Sequence, residues 1–259
     1  MGMRIAITRA VSPNIGQCEL THLDRQPIDL ALARTQHHLY EAALAALGCQ
    51  VQQLPAELTL PDSVFVEDAA VVLDEVAIIT RPGADSRKPE TISIAQALAP
   101  YRTLCNIAAP GTVDGGDVLR IGKRLYVGLS SRSNQAAIDQ MAAFLQPFGY
   151  TVQGVPVKGF LHLKSAVTQV AEAMVLINPA WVDAALFGDL QIIEIDPTEA
   201  YAANTLLIGE TVIYPISYPR THQRLVQAGV PVQTVDVAEL IKAEGAVTCC
   251  SLILNTHVT

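Results

Sequence analysis

The sequence predicts an α/β propeller in which five repeated ββαβ units form a closed ring. Similar segments recur at intervals of 42 to 48 residues, marked by Asp68, Asp114, His162, Asn204 and Cys249. A period of this length is typical of propellers and solenoids, and the helix in each unit distinguishes the chain from WD-type blades. The last unit is truncated and its missing strand, helix and strand stand at the N-terminus, which favours a ring sealed by both termini.

The N-terminal part supplies the pieces that complete the fifth unit. We expect strands over residues 4–8 and 51–54, with a helix over 27–47 between them. Residues 11–27 form a long polar connection, of the kind that is either functional or disordered. The helix is predicted from apolar residues at helical spacing: Ile28, Leu32, Leu39, Ala43, Leu44 and Leu47.

Four complete units follow, each with a polar cluster, two strands joined by a turn, a polar loop, a helix and a third strand. Their helices are expected to begin at Pro89, after Gln135, at Asn178-Pro179 and around Pro219. The fifth unit opens at residues 248–251, just before an apolar run. We therefore expect one domain that spans residues 1–259.

Composition excludes several classes of protein. Half of the 259 residues are hydrophobic, 16% are charged and the net charge is −8. No basic cluster exceeds two residues, which argues against a nucleic-acid surface. No apolar run approaches the ~18 residues of a membrane span, and no signal peptide is visible.

The five cysteines (Cys18, Cys49, Cys105, Cys249 and Cys250) favour a reducing, cytoplasmic location. Their number is odd and none forms a Cys-x-x-Cys pair. This pattern argues against a disulfide scaffold and against a structural zinc site.

Equivalent positions in a five-fold ring face a common axis, so Asp114, His162 and Cys249 are expected to share a cavity. Each has a structural interpretation alone: a turn aspartate, a core histidine and a packing cysteine. Converging polar groups cost stability unless they bind something, and a thiol, an imidazole and an orienting carboxylate suit nucleophilic catalysis. Strand alternation would direct Cys249 to the cavity and Cys250 to the packed side.

Further charged residues indicate an arginine-like ligand. A carboxylate cluster near the strand starts suits a planar guanidinium. Arg87 and Arg132, in loops ahead of helices, either hold a carboxylate or lie on the exposed surface. The carboxylates are Asp62, Glu67, Asp68, Asp114 and Asp117.

Six segments together resemble the dimethylarginine dimethylaminohydrolases, members of the guanidine-modifying pentein superfamily with its five-bladed α/β propeller. The similarity runs from about residue 4 to residue 254. The segments are 62–68 (DSVFVED), 80–87 (TRPGADSR), 113–119 (VDGGDVL), 127–135 (VGLSSRSNQ), 161–165 (LHLKS) and 247–251 (VTCCS).

The resemblance implies a role for each site residue. It makes Cys249 the nucleophile, His162 the general acid and base, and Asp114 its orienting partner. Residues 12–25 would form a mobile lid, and residues 243–245 would contribute to the amino-acid end of the site, with Glu244 a weaker match. The implied substrate contacts are Asp68 with Glu67 on the guanidinium, Arg87 and Arg132 on the α-carboxylate, Asp62 on the α-amine, and Leu20 of the lid.

The implied activity is hydrolysis of Nω-methylated L-arginine to L-citrulline and methylamines through a covalent thiouronium on Cys249, with no metal or organic cofactor. The implied partner is a small-molecule substrate. The sequence does not decide whether the protein forms a homodimer. One alternative is arginine deimination or another guanidine modification, although deiminases typically carry a helical insertion for which this chain has no room. A second is a non-catalytic propeller that binds other macromolecules, which the triad argues against.

Overall fold

The computed structural model describes residues 2–157 and 159–256, which form five three-stranded sheets. The strands are β1 (Arg4–Arg9), β2 (Cys49–Leu54), β3 (Ala70–Val72), β4 (Val76–Ile79), β5 (Thr103–Asn106), β6 (Val118–Ile121), β7 (Arg124–Leu129), β8 (Thr151–Pro156), β9 (Val167–Ala171), β10 (Met174–Ile177), β11 (Gln191–Glu194), β12 (Leu206–Ile208), β13 (Thr211–Pro215), β14 (Val232–Val235) and β15 (Leu252–Asn255).

The α-helices connect and flank these strands. They are α1 (Leu30–Ala46), α2 (Glu90–Leu98), α3 (Gln135–Leu145), α4 (Leu163–Ala166), α5 (Pro219–Gln227) and α6 (Ala238–Ile241). Within the described residues, no helix has the length and apolar character that crossing a membrane requires.

All five sheets share one topology. In four of them a hairpin of two antiparallel strands is followed by a third strand parallel to the second. In the fifth sheet, β15 replaces the first strand and pairs antiparallel with β1, with Leu254 opposite Ile5, while β2 runs parallel to β1. The predicted five-bladed α/β propeller, closed by both termini, is confirmed.

The first strands of the blades surround a common channel. One cavity of about 200 Å³ is lined by residues of β3, β6, β9, β12 and β15 or their immediate flanks. Apolar cores join neighbouring blades, as where Ile7 and Leu252 pack with Ile79 and Leu98 of the next blade. Each blade therefore depends on its neighbours for burial of its apolar faces.

The prediction of a helix that begins at Asn178 is wrong. The structure has a single 3₁₀ turn there, Ala184–Phe187. Asn178 accepts a hydrogen bond from the N–H of Ala180 and Asp183 accepts one from the N–H of Ala185, each at a local turn. The bond of Asn178 competes with helix formation at that position, whereas Asp183 caps the short 3₁₀ helix. Strand β11 then begins before a longer helix could form.

The buried face of α1 matches the predicted apolar stripe only in part, since Ala43 and Leu44 are buried and Ile28 and Leu47 pack against the core. Leu32 and Leu39 are 42% and 54% exposed, whereas His37, Tyr40 and Glu41 are buried. Polar contacts explain the difference. The Tyr40 hydroxyl bonds to the carbonyl of Val247 at 2.8 Å and to Ser251 Oγ at 2.7 Å, on either side of the cysteine pair.

We expect Tyr40→Phe to lower the free energy of unfolding by about 1–2 kcal/mol, because it removes two buried hydrogen bonds. Urea unfolding measures this change. Tyr126→Phe is the matched control, since Tyr126 is equally buried but its hydroxyl bonds to no other described residue. Equal losses in both variants would contradict a specific anchoring role for Tyr40.

Candidate active site

The five marker residues lie at turns that precede the first strands, and not in the strands themselves. Three of these turns are one-turn helices: the 3₁₀ helices Val66–Ala69 and Gly115–Asp117, and α4. A fourth, residues 247–250, carries the cysteines, and β15 begins only at Leu252. The periodicity is therefore that of turns at one end of the ring.

One small cavity brings most of the predicted site residues together. Its volume is about 20 Å³, enough for about one water molecule. A substrate of amino-acid size therefore enters only if the lining rearranges. The lining residues are Glu19, Asp62, Phe65, Asp68, Arg87, Arg132, Leu161, His162, Ala243, Glu244 and Cys249.

Cys249 and Cys250 occupy different environments. Cys249 lines the cavity and is 8% exposed, whereas Cys250 is fully buried and its Sγ donates to the carbonyl of Ala246. The predicted separation of the two side chains is present, but a turn produces it and not strand alternation. Burial, together with the carboxylates of Glu67 and Asp68, raises the pKa of Cys249 to about 12.

His162 is held between carboxylates. Its Nε2 lies 3.1 Å from Asp114 Oδ2, and its Nδ1 lies 3.9 Å from Asp68 Oδ1. Burial lowers the pKa of the imidazole, but the charge of Asp68 and the hydrogen bond to Asp114 outweigh burial and raise that pKa to about 9. The ring is therefore protonated at neutral pH and can donate a proton.

The Asp-Gly-Gly-Asp motif serves close packing as well as a turn. A Cβ at Gly116 would lie 2.6 Å from Nδ1 of His162, and one at Gly115 would lie 1.9 Å from the carbonyl oxygen of Glu67. Only glycine therefore lets the imidazole and the neighbouring turn approach this closely.

The prediction that Asp114 and Asp117 face the pocket is wrong, because both are fully buried and neither lines the cavity. Asp114 reaches the site through its contact with His162. Asp117 accepts hydrogen bonds from the hydroxyls of Ser130 and Ser133. It also accepts one from the N–H of Leu163, the residue after His162, at 2.9 Å. Asp117 thus orients the turn that carries the imidazole.

Arg87 is deeply buried in an ion-pair network. Its guanidinium contacts Asp68 Oδ2 at 2.5 Å and Glu90 Oε2 at 2.8 Å. His162 and Arg87 hold the pKa of Asp68 below its usual range, against the opposing effect of burial. Burial raises the pKa of Glu90 to about 7, against the attraction of Arg87. The sequence reasoning missed Glu90, although its spacing of three residues from Arg87 signals such a pair.

Arg132 lies on the same cavity, closer to solvent. Its Nη2 donates to Thr21 Oγ1 at 3.0 Å, and its Nη1 lies 3.6 Å from Asp114 Oδ2. The structure therefore brings the two predicted arginines to one cavity. Binding of a carboxylate by this pair stays a prediction.

Glu67 faces away from this cavity, towards the central channel. Its carboxylate forms an ion pair with Lys164 and accepts a hydrogen bond from Thr248 Oγ1 at 2.8 Å. Its backbone N–H donates to the carbonyl of Cys249. The structure thus places Glu67 behind the thiol, and its predicted contact with a guanidinium stays a prediction.

Asp62 and Leu20 connect the cavity to the predicted lid. Asp62 accepts hydrogen bonds from the N–H of Glu19 at 3.1 and 3.2 Å. Burial raises the pKa of Asp62, partly offset by Arg87. Leu20 is half-buried and packs against the apolar cluster that contains Cys249.

Asp68, Asp114 and His162 also have the spacing of a metal site, since one ligand atom of each lies within 4.8 Å of the others. Their charges are already balanced, however, by Arg87 on Asp68 and by the imidazolium on both carboxylates. A dication would have to displace these partners. The arrangement suits proton transfer better than metal binding.

Comparisons with known proteins point to one family. No protein-family model matches the chain. The chain is 40% identical over 257 residues to the N(G),N(G)-dimethylarginine dimethylaminohydrolase of Streptomyces coelicolor, covering 98% of both chains. It superimposes with a TM-score of 0.93 and 36% identity on a Cys-to-Ser mutant of the Pseudomonas aeruginosa enzyme complexed with citrulline, covering 98% of this chain and 100% of that one.

A more distant structure shares the fold alone. The N-terminal domain of ArgZ, an arginine dihydrolase from cyanobacteria, gives a TM-score of 0.87 at 18% identity and covers 98% of each chain.

We expect alkylation of Cys249 by iodoacetamide to accelerate about tenfold per pH unit up to pH 10 without levelling off, because only the thiolate reacts and the pKa of Cys249 is raised to about 12. Site-resolved mass spectrometry measures the rate, with the partly exposed Cys105 in the same digest as internal reference. A plateau below pH 7 would contradict a neutral thiol.

We also expect His162 to make stability depend on pH. Its pKa rises from the ordinary 6.5 to about 9 on folding, so its contribution is complete below pH 6.5 and is lost as the pH rises to 9. The contribution is on the order of 3 kcal/mol. The free-energy difference between the wild type and His162→Asn should shrink over this range in urea titrations, and a constant difference would rule out a charged His162.

Proposed function

Because the chain belongs to the dimethylarginine dimethylaminohydrolase family, we propose that it hydrolyses Nω-methylated L-arginine to L-citrulline and a methylamine. The observation that carries the proposal is the convergence on one cavity of a thiol, a protonated imidazole and paired carboxylates. The arginines on the same cavity support an amino-acid substrate.

In the proposed first step, Cys249 attacks the guanidinium carbon of the substrate. The carboxylate of Asp68 would align the guanidinium. The thiol is neutral in the free protein, and the positive charge of the bound substrate would lower its pKa so that the proton leaves to solvent. The thiolate then forms the C–S bond and gives a neutral tetrahedral intermediate.

In the second step, His162 acts as general acid. The imidazolium donates its proton to the nitrogen that carries the methyl groups, the C–N bond breaks, and a methylamine departs. A positively charged thiouronium remains on Cys249. The raised pKa of His162 supports this role, because the proton is in place before the substrate binds.

In the third step, the neutral His162 takes a proton from water, whose oxygen adds to the thiouronium carbon. The intermediate collapses by breaking the C–S bond, which regenerates the thiolate and releases citrulline as a second proton leaves to solvent. Asp114 would orient the imidazole throughout. These steps use only side chains and water, so the proposal requires no cofactor.

At the amino-acid end, we assign the α-carboxylate to Arg87 and Arg132, the α-amine to Asp62, and closure of the site to Leu20. Arg87, Arg132 and Asp62 line one cavity, which supports their part of this assignment, and Leu20 packs against the apolar cluster that contains Cys249. Glu67 would support the guanidinium site from behind Cys249. Arg87 already bonds to Asp68, so carboxylate binding would link the two ends of the substrate.

Three broader assignments belong to the same proposal. Residues 1–259 would act as one catalytic domain. A cytoplasmic location is supported by the five cysteines, which are unpaired. Whether the protein forms a homodimer is tested by measuring its molar mass with light scattering.

We expect citrulline from asymmetric dimethylarginine and monomethylarginine, and little from arginine or agmatine. Cys249→Ser should lose about 10³-fold or more of the activity, because it removes the nucleophile. Cys250→Ser is the matched control and should keep most of it, since Cys250 does not line the cavity.

Two outcomes would contradict the proposal. Arginine turned over as fast as the methylated substrates would favour deimination. Full activity of a folded Cys249→Ser variant would exclude covalent catalysis by this thiol.

A further inference from the structure

The tip of the predicted lid, residues 19–25, is held to the protein in an unusual way. The preceding stem is anchored, because Ile15 and Cys18 are buried in the core and Ser12 bonds to the carbonyl of Glu57. The tip itself forms no backbone–backbone hydrogen bond with any other described residue. Its position therefore depends on side chains.

Glu244 provides three of these contacts. One carboxylate oxygen accepts the N–H of Thr21 at 2.9 Å, and the other accepts the N–H groups of His22 at 2.5 Å and Leu23 at 2.6 Å. Hydrogen bonds to an ionised acceptor are stronger than neutral ones. Three consecutive amides of the tip thus converge on one carboxylate.

The backbone at Glu244 gives independent support. Its φ is +58°, which no other non-glycine residue in the described ranges shares in sign. The next residue, Gly245, packs so closely beneath Phe65 that a Cβ would lie 2.1 Å from the ring. This fixes the turn in a conformation that glycine would adopt more easily at position 244 as well. A glutamate there is costly for the backbone, which points to a role for its side chain.

Arg25 of the tip donates to the carbonyls of Gly16 and Cys18 in the stem, and the Ser86 hydroxyl donates to Glu19. The remaining ties involve residues assigned to substrate binding. Asp62 accepts the N–H of Glu19, and Arg132 donates to Thr21. A bound amino acid would engage the carboxylate of Asp62 and the guanidinium of Arg132. Glu244 also lines the cavity, as the resemblance implied for residues 243–245, but both of its carboxylate oxygens are engaged by the tip.

We propose that Glu244 is a positioning residue that latches the lid tip over the Cys249 cavity. It acts through residues 21–23 and does not touch the reacting atoms. With the latch closed, the lid tip covers a cavity of only about 20 Å³. Release of the latch opens the route by which a substrate enters. Only the kinetic consequence rests on the proposed function, since the latch itself is a property of the fold.

The test uses Glu244→Gly, which relieves the left-handed backbone and removes the carboxylate together. We expect the melting temperature to stay equal or rise, while hydrogen exchange of amides 21–23 accelerates at least tenfold. KM for the methylarginine substrate should rise about tenfold with a smaller change in kcat. Glu244→Gln keeps one acceptor oxygen and should be intermediate in both exchange and KM.

Glu239→Gln is the matched control. Glu239 also accepts a backbone N–H, that of Asp29 just beyond the lid, at 2.9 Å. This variant should accelerate exchange at Asp29 and leave amides 21–23 unchanged.

The outcomes separate the latch from the enzyme assignment. Unchanged exchange at 21–23 in Glu244→Gly would overturn the latch. A lower melting temperature in that variant, with no selective change at these amides, would show a purely structural role and overturn it as well. A wild type inactive on every methylarginine would reject the proposed function but leave the exchange result standing.

Discussion

The pairing of β15 with β1 is the contact on which the candidate site depends. Cys249 stands just before β15, so closing the ring carries a C-terminal thiol to an imidazole and carboxylates supplied by other blades. Closure also removes the open sheet edge that an unclosed array would leave. Tyr40, on a helix of the same blade, then bonds to both sides of the turn that carries Cys249. The contacts that stabilise this blade therefore also set the geometry of the site.

Charge balance is the second constraint. An unpaired buried charge costs several kcal/mol, so each buried group needs a partner. Arg87 pairs with Asp68 and Glu90, His162 with Asp114, and Lys164 with Glu67. The Cys249 thiol is buried beside carboxylates, and burial first and these charges second raise its pKa. In the proposed function, a cationic substrate would oppose the effect of these carboxylates and lower the pKa of Cys249 on binding.

The predicted lid is held in place by a different kind of contact from those that join the blades. The blades are joined by strand ladders and apolar cores, whereas the tip of the predicted lid is held mainly by side-chain hydrogen bonds and by the packing of Leu20. Segments with few apolar contacts and exposed hydrogen bonds open at low free-energy cost. In our proposal, the ring fixes the catalytic groups, and the predicted lid opens to admit the substrate.

The sequence by itself determined the ring, its closure by both termini and the in-phase positions of Asp114, His162 and Cys249. Repeats and periodicity are properties of the amino-acid sequence and can be recognised before the structure is known. Only the tertiary structure decided which way individual polar side chains face, because their partners come from distant blades. Glu67 faces the channel because it forms an ion pair with Lys164 there. Asp117 is buried because it accepts hydrogen bonds from Ser130 and Ser133. Helix α1 buries Tyr40 and leaves Leu39 exposed. The local sequence around a residue does not reveal partners that come from distant blades. The fold could therefore be predicted more fully than the site.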